Sequence, residues 1–191
     1  MKIGKIQETI LYSRVKSKDA KSFIKVYDLY INQIYRFIYF KVSNAEEAED
    51  LTSAVFLKTW SYIQEGNEIK HKTLKALIYK IARNLVIDHY RKSSRQKSVS
   101  LNDDFIKEIV DNKQNMQEEI ELKLDMESVK HNLQELKDEY REAIVMRFVN
   151  ELSISEIADI LDKPKGNVRV LIYRAMKSLK ELVNDNPNAT N

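Results

Sequence analysis

The stretch KPKGNVRVLIYRAMK, positions 163 to 177, sets five Lys or Arg, one Asn and one Tyr among the apolar residues Val168, Ile172 and Ala175. Long cations neutralise phosphates, while an arginine fork, an amide or a ring can also read the edge of a base. The apolar residues step by four and three, then by four to Leu179, the period of a helix buried along one side. That leaves Lys165, Asn167, Arg169, Val170, Tyr173, Arg174 and Lys177 facing outward. A solvated structural helix would carry the same charge, so the neighbouring residues decide. Just before it, Ser153-Ile154-Ser155-Glu156 is a capping box opening a short helix with Ile157, Ala158 and Leu161 inward. Asp162, Lys163 and Pro164 then form a turn, and proline suits the start of a second helix. Short helix, turn, longer basic helix is the helix-turn-helix order, with Ala158 small where the two would cross. In that setting the basic face is expected to meet nucleic acid. Val170 and Leu171 keep two readings, packing against a further helix or touching a thymine methyl.

Other chemistry is absent from the pattern. There is no cysteine, and His71, His89 and His131 are scattered. The acidic group Glu46, Glu47, Glu49 and Asp50 reads as a solvated first helical turn aided by the helix dipole, with Asp50 equally suited to a protein contact. A bundle di-metal site needs paired Glu-x-x-His motifs, and only Glu68 to His71 has that spacing. We therefore expect no catalytic residue, metal, cofactor or small-molecule substrate, and no enzyme. No apolar run approaches the roughly 18 residues of a membrane span, and the N-terminus lacks a signal-peptide core, so a cytoplasmic protein without membrane insertion is expected.

The elements that must hold this face follow from composition and period. Of 191 residues 43% are hydrophobic, yet only three are Gly and two Pro, too few for a turn-rich sheet protein. The expected fold class is all-α: two small helical domains joined by a flexible acidic linker, the C-terminal one with the helix-turn-helix. From Ser22 to Val42, Phe23, Tyr27, Tyr30, Ile34, Phe37 and Ile38 recur at helical steps. Ser43 with Glu46 reads as the capping box of a second helix, buried through Ala48, Leu51, Val55 and either Leu57 or Trp60. Gly66 marks a loop, and a third helix buries Leu74, Ile78, Ile81 and Leu85. These, with a possible short helix ahead of them, make a domain of residues 1–95. Residues 96–124 form the linker: between Gln96 and Glu127 nine Asp or Glu stand against four Lys. The second domain is 125–185, with Val129, Leu133 and Leu136 on one helix and Ala143, Ile144, Arg147 and Phe148 on the next. Residues 186–191 read as a disordered tail. The net charge of +3 hides this separation of signs.

Both halves resemble one family. LQELKDEYREAIVMRFVNELSISEIADILDKPKGNVRVLIYRAMKSLKEL is similar to region 4 of bacterial sigma factors. EAEDL, F-L-K-x-W and Y-K-I-A-R-N-L, in that order within the first domain, are similar to region 2. With only these two regions, the chain resembles the small extracytoplasmic-function (ECF) group. The resemblance implies an initiation factor that binds core RNA polymerase and promoter DNA, with an anti-sigma factor as a further possible partner. It implies polymerase docking through the helix carrying Asp50, Leu51, Ser53 and Ala54, where the last two stand in place of a usual Gln and acidic residue. It implies minus-10 contacts by Lys80, Arg83, Asn84, Arg91 and Lys92, with loop 64–73 holding a flipped base. Residues 165–177 would enter the major groove of the minus-35 element. The acidic linker would thread the polymerase interior. Leu77 and Leu171 replace a customary Trp and Arg, and Glu151 and Asp162 stand where glycine is common. On the residues alone two rivals stay open: a helix-turn-helix regulator whose N-terminal helices sense a ligand or dimerise, and an interaction module that sequesters a partner.

Overall fold

Helix follows helix through the described residues. The computed structural model describes residues 5–66, 73–97 and 131–185, and no strand occurs among them. In chain order these are α1 (Lys5–Lys16), α2 (Ala20–Val42), α3 (Ala45–Gln64), α4 (Leu74–Lys97), α5 (131–135), α6 (Asp138–Ile144), α7 (Ile154–Leu161) and α8 (Lys165–Asp185). A π-helical turn, Val145–Val149, extends α6. The expected tail, residues 67–72 of the expected loop, and all but the first two residues of the expected linker lie outside the described residues.

Local chemistry sets the breaks. Asp19 caps α2, accepting from the Lys21 N–H at 3.1 Å and the Ser22 hydroxyl at 2.6 Å. The expected Ser43–Glu46 capping box is not formed. Ser43 instead ends α2 in the left-handed region at φ 62, and Asn44 caps α3 by accepting from the Glu47 N–H at 3.0 Å. Both residues are good caps in principle, and the need for a left-handed residue to turn the chain decides between them.

α2, α3 and α4 form an N-terminal bundle with α1 laid along α2. Its centre holds Val26, Ile34, Phe37, Ile38, Val55, Ile78 and Val86, with the Phe37 and Tyr79 rings meeting edge to face at 5.4 Å. α3 buries Thr52 and Thr59 beside Ala48 and Val55, a pair the apolar pattern does not reveal. Their hydroxyls return to the carbonyls of Ala48 (2.6 Å) and Val55 (2.7 Å), which satisfies them inside the helix. Trp60 is half-buried against Phe23. Leu57 faces outward, 70% exposed.

The C-terminal body packs α6 and α7 against α8. Arg141 ties its first turn together, donating to the carbonyls of Leu133 (2.8 Å), Gln134 (2.7 Å) and Leu136 (3.2 Å), groups a helix end leaves without partners. Of the apolar residues expected here, Leu133, Leu136, Ala143 and Ile144 are buried, whereas Phe148 is 52% exposed. The π turn shifts the register there: Asn150 donates its N–H to Val145 and Leu152 to Met146, both at 2.9 Å.

The two bodies are docked, an arrangement the sequence does not announce. α4 meets α2 and α3 within its own bundle and receives α7 from the other body, while α2 meets α6 and the π turn. Consequently α4 is apolar nearly all round through its first turns, with Ala76, Leu77, Tyr79 and Ala82 buried besides the expected positions. At the seam the Lys41 ammonium, 1% exposed, lies 3.0 Å from Asp138 and 3.7 Å from Glu142. Glu142, itself 3% exposed, accepts from Arg83 Nε at 2.9 and 3.1 Å. Lys75 reaches Glu156 at 2.8 Å, Lys80 pairs with Asp162, and Asn150 donates to the Gln33 carbonyl at 2.6 Å and to the Tyr79 hydroxyl.

Candidate nucleic-acid interface

The helix-turn-helix forms as its sequence requires. Ser153 Oγ accepts from the Glu156 N–H at 3.2 Å while the Glu156 carboxylate accepts from the Ser153 N–H at 2.7 Å, closing both halves of the capping box. Ile157 and Ala158 are buried as expected, Leu161 is half-buried, and Ile160 turns inward as well. Asp162 then ends α7 in the left-handed region at φ 51, and Glu151 does the same at φ 54 before α7 begins. Glycine would be at ease at both positions. Each non-glycine residue there costs on the order of 1 kcal/mol, less for Asp162, whose short polar side chain suits that region better.

Burial separates the two sides of α8 cleanly. Val168 and Ala175 are fully buried, and Ile172 and Leu179 pack against the core. Lys165, Asn167, Arg169, Val170, Tyr173, Arg174 and Lys177 are all exposed. Tyr173 is 72% and Val170 48% exposed, so Val170 does not pack against a further helix among the described residues, whereas Leu171 is half-buried. Lys177 has only the surface carboxylate of Glu181, 3.8 Å away. No carboxylate among the described residues pairs with Lys165, Arg169 or Arg174. The face therefore presents uncompensated positive charge, an amide and a ring along one helix, with its back anchored.

Glu156 couples this motif to the other body. Burial pushes its carboxyl up, but hydrogen bonds from Lys75 and from the Ser153 N–H and hydroxyl outweigh burial and hold it below the ordinary carboxylate range. A depressed carboxyl stabilises the fold fully above its unfolded value of about 4.3, and that stability is lost as pH falls through the lower folded value. Glu156→Gln is accordingly expected to flatten the acid side of the stability profile. Thermal melts between about pH 6 and pH 3 should show the variant gap narrowing towards acid; a gap constant with pH would refute it.

The other expected DNA residues are divided by the docking. On α4, Asn84, Arg91 and Lys92 are exposed, with Arg91 3.3 Å from Asp88. Lys80 and Arg83 point into the seam and hold Asp162 and Glu142. Base capture by loop 64–73 falls largely outside the described residues. On α3, Asp50 and Ser53 are exposed and Leu51 and Ala54 half-buried. Leu57 continues that face one turn further on. Sequence period left the inward place open between Leu57 and Trp60, and the structure turns Trp60 partly inward and Leu57 outward. His89 lies 3.2 Å from Glu47, a surface pair bracing α4 against α3. No helix among the described residues is long and apolar enough to cross a membrane.

Comparison with known proteins gives a consistent account. Residues 26–96 match the family model for Sigma-70 region 2 and residues 127–179 that for Sigma-70, region 4. The ECF RNA polymerase sigma factor SigM of Bacillus subtilis is 30% identical over 165 residues, covering 86% of this chain and 96% of SigM. The fold is similar to that of CnrH in complex with the cytosolic domain of CnrY, with TM-score 0.68 and 17% identity over 93% of this chain and 97% of the other. It is also similar to that of the sigma factor RpoE in complex with the anti-sigma factor NepR from Bartonella quintana, with TM-score 0.64 and 24% identity over 86% and 98% of the two chains. At these identities the last two likenesses are of fold.

Proposed function

This chain belongs to the ECF group of RNA polymerase sigma factors, and from that premise we propose how its two bodies divide the work. As a sigma factor it joins core RNA polymerase and directs initiation at promoters. The C-terminal body reads the minus-35 element through the outward face of α8, and the N-terminal body opens minus-10 DNA with Lys80, Arg83, Asn84, Arg91 and Lys92. The protein itself carries out no bond chemistry and acts in the cytoplasm. The observation that carries this reading is the exposed cationic side of α8, where no carboxylate among the described residues pairs with Lys165, Arg169 or Arg174, set on the second helix of a correctly capped helix-turn-helix.

The α3 face supports the docking role. Asp50, Ser53 and Leu57 emerge along one side, offering a carboxylate, a hydroxyl and a large apolar group to a partner helix. A leucine so exposed gains most when a partner covers it, and truncating a buried interface anchor costs about 2 kcal/mol or more. Leu57→Asp is therefore expected to weaken binding to core polymerase by roughly thirtyfold or more, measured by fluorescence anisotropy, with the helical content of the free protein unchanged. Retained affinity would move the docking face elsewhere.

The test of the whole reading is run-off transcription with purified core polymerase on a library of promoter fragments. Specific starts should appear only when this protein is added. A sharp footprint on duplex DNA without polymerase would point instead to a self-sufficient regulator. An anti-sigma partner, the kind of protein bound to the Bartonella quintana sigma factor, would meet the two bodies of this chain already closed on one another.

A further inference from the structure

Val170 cannot do what its neighbours on α8 do. Asn167, Arg169, Tyr173 and Arg174 carry polar groups that can bond to phosphates or base edges, whereas Val170 offers only methyl groups, and it is 48% exposed. A single exposed aliphatic side chain is ordinary on a protein surface. Its bearing is what sets this one apart. At about 100° per residue, Val170 lies roughly 170° round the helix from the middle of the buried line Val168, Ile172, Ala175 and Leu179. It points straight away from the body, with Arg169 and Tyr173 on one flank and Asn167 and Arg174 on the other.

Gly166, one turn before Val170, is bare for no internal reason. It sits in the first turn of α8 without a positive φ. A methyl group at that position would meet nothing within 4 Å. Alanine is the better helix former, so neither backbone geometry nor packing within the described chain explains the glycine. Glycine also serves where a backbone must come close to a ligand.

A helix with its side chains is about 10–12 Å across, and the major groove is about 12 Å wide. The flanks of such a helix meet the phosphate walls, and the line facing away from the body meets the floor. Recognition helices contact base edges with their N-terminal residues, and Val170 is the sixth residue of α8. The apolar group that stands out on that floor is the C5-methyl of thymine. The other edges show donors and acceptors, which a valine would strip of water without replacing it.

We propose that Val170 is a specificity residue for the minus-35 element, seated against the C5-methyl group of a thymine in a close approach that the bare Gly166 permits. Thymine is selected there by apolar contact and not by a hydrogen bond. This rests on the reading of α8 as the minus-35 helix, and the test separates the two ideas.

Run-off initiation is measured with the full chain and core polymerase on an active fragment from the promoter library. Each thymine of its minus-35 element, on either strand, is replaced in turn by deoxyuridine, which removes the methyl group and keeps every hydrogen-bonding group. At one thymine the expected loss is about fourfold, the worth of one buried methyl. Val170→Ala should initiate less well on the unmodified fragment by a similar factor and lose most of its sensitivity to uracil at that thymine alone. Gly166→Ala should melt no earlier than the parent protein, yet initiate several-fold less well. Uracil tolerated at every thymine, or parent and Val170→Ala equally sensitive at each, overturns the thymine contact. Full initiation by Gly166→Ala overturns the close approach and the seating with it. In either case, loss of initiation when Arg169 and Arg174 are both replaced by alanine would leave the reading of α8 standing. Normal initiation by that double variant, with uracil tolerated throughout, overturns both.

Discussion

Replacing Arg169 and Arg174 together by alanine is expected to extinguish promoter-specific initiation while leaving the fold intact. Each is a candidate bidentate reader of a base, and losing such a contact costs about 1–3 kcal/mol. The two share no partner in the free protein and lie more than one helical turn apart, so their losses should add to about 2–6 kcal/mol. In a run-off assay at limiting protein that is a fall of roughly thirtyfold or more. Both side chains are exposed, so chemical denaturation should shift by no more than about 0.5 kcal/mol. Lys165→Ala supplies the contrast. A phosphate contact should weaken binding evenly across sequences and lower the salt slope by about one. Unchanged initiation by the double variant would mean that α8 does not present its reading side as assigned.

Phe37→Ala is expected to have the largest effect on stability. The ring is wholly buried in the N-terminal bundle, meets Tyr79 edge to face, and lies 5.9 Å from the Lys41 ammonium. Deleting a buried phenyl group costs about 3–5 kcal/mol, through lost transfer energy and the cavity left behind. That is a large share of the roughly 5–15 kcal/mol available to a folded domain. Ile24→Ala, on the same helix but 60% exposed, should shift unfolding by about 0.5 kcal/mol or less. Urea melts of both variants compare them directly. A similar loss for the two would mean that α2 presents another face inward.

What could be read in advance was whatever short-range pattern determines. The period of α2 singled out Phe23, Tyr27, Tyr30, Ile34, Phe37 and Ile38; the last four are buried, Phe23 is half-buried and Tyr27 is 39% exposed. Ser153 and Glu156 predicted their own reciprocal cap, because both halves of that device lie within four residues. The outward face of α8 followed from the same local logic. Where two local solutions competed, pattern alone chose wrongly, as at Ser43, whose left-handed backbone is imposed by the turn between α2 and α3. The choice between Leu57 and Trp60 stayed open because leucine signals burial without saying whether the covering surface belongs to this chain or another. Thr52 and Thr59 were missed since a hydroxyl satisfied by its own helix is sterically a small apolar group. The docking lay beyond reach, for Lys41, Glu142 and Arg83 are surface-type residues far apart in the chain, and only their meeting makes them interior.

That distance has a consequence for synthesis. Lys41 finds Asp138 across 97 residues, so at about 5–20 residues per second the ribosome needs roughly 5–20 s to deliver the counter-charge. Through that interval the nascent N-terminal bundle can fold, but its lysine stays wet and the second apolar flank of α4 stays uncovered. The seam must then close by stripping water from two finished surfaces, as separate molecules do when they associate.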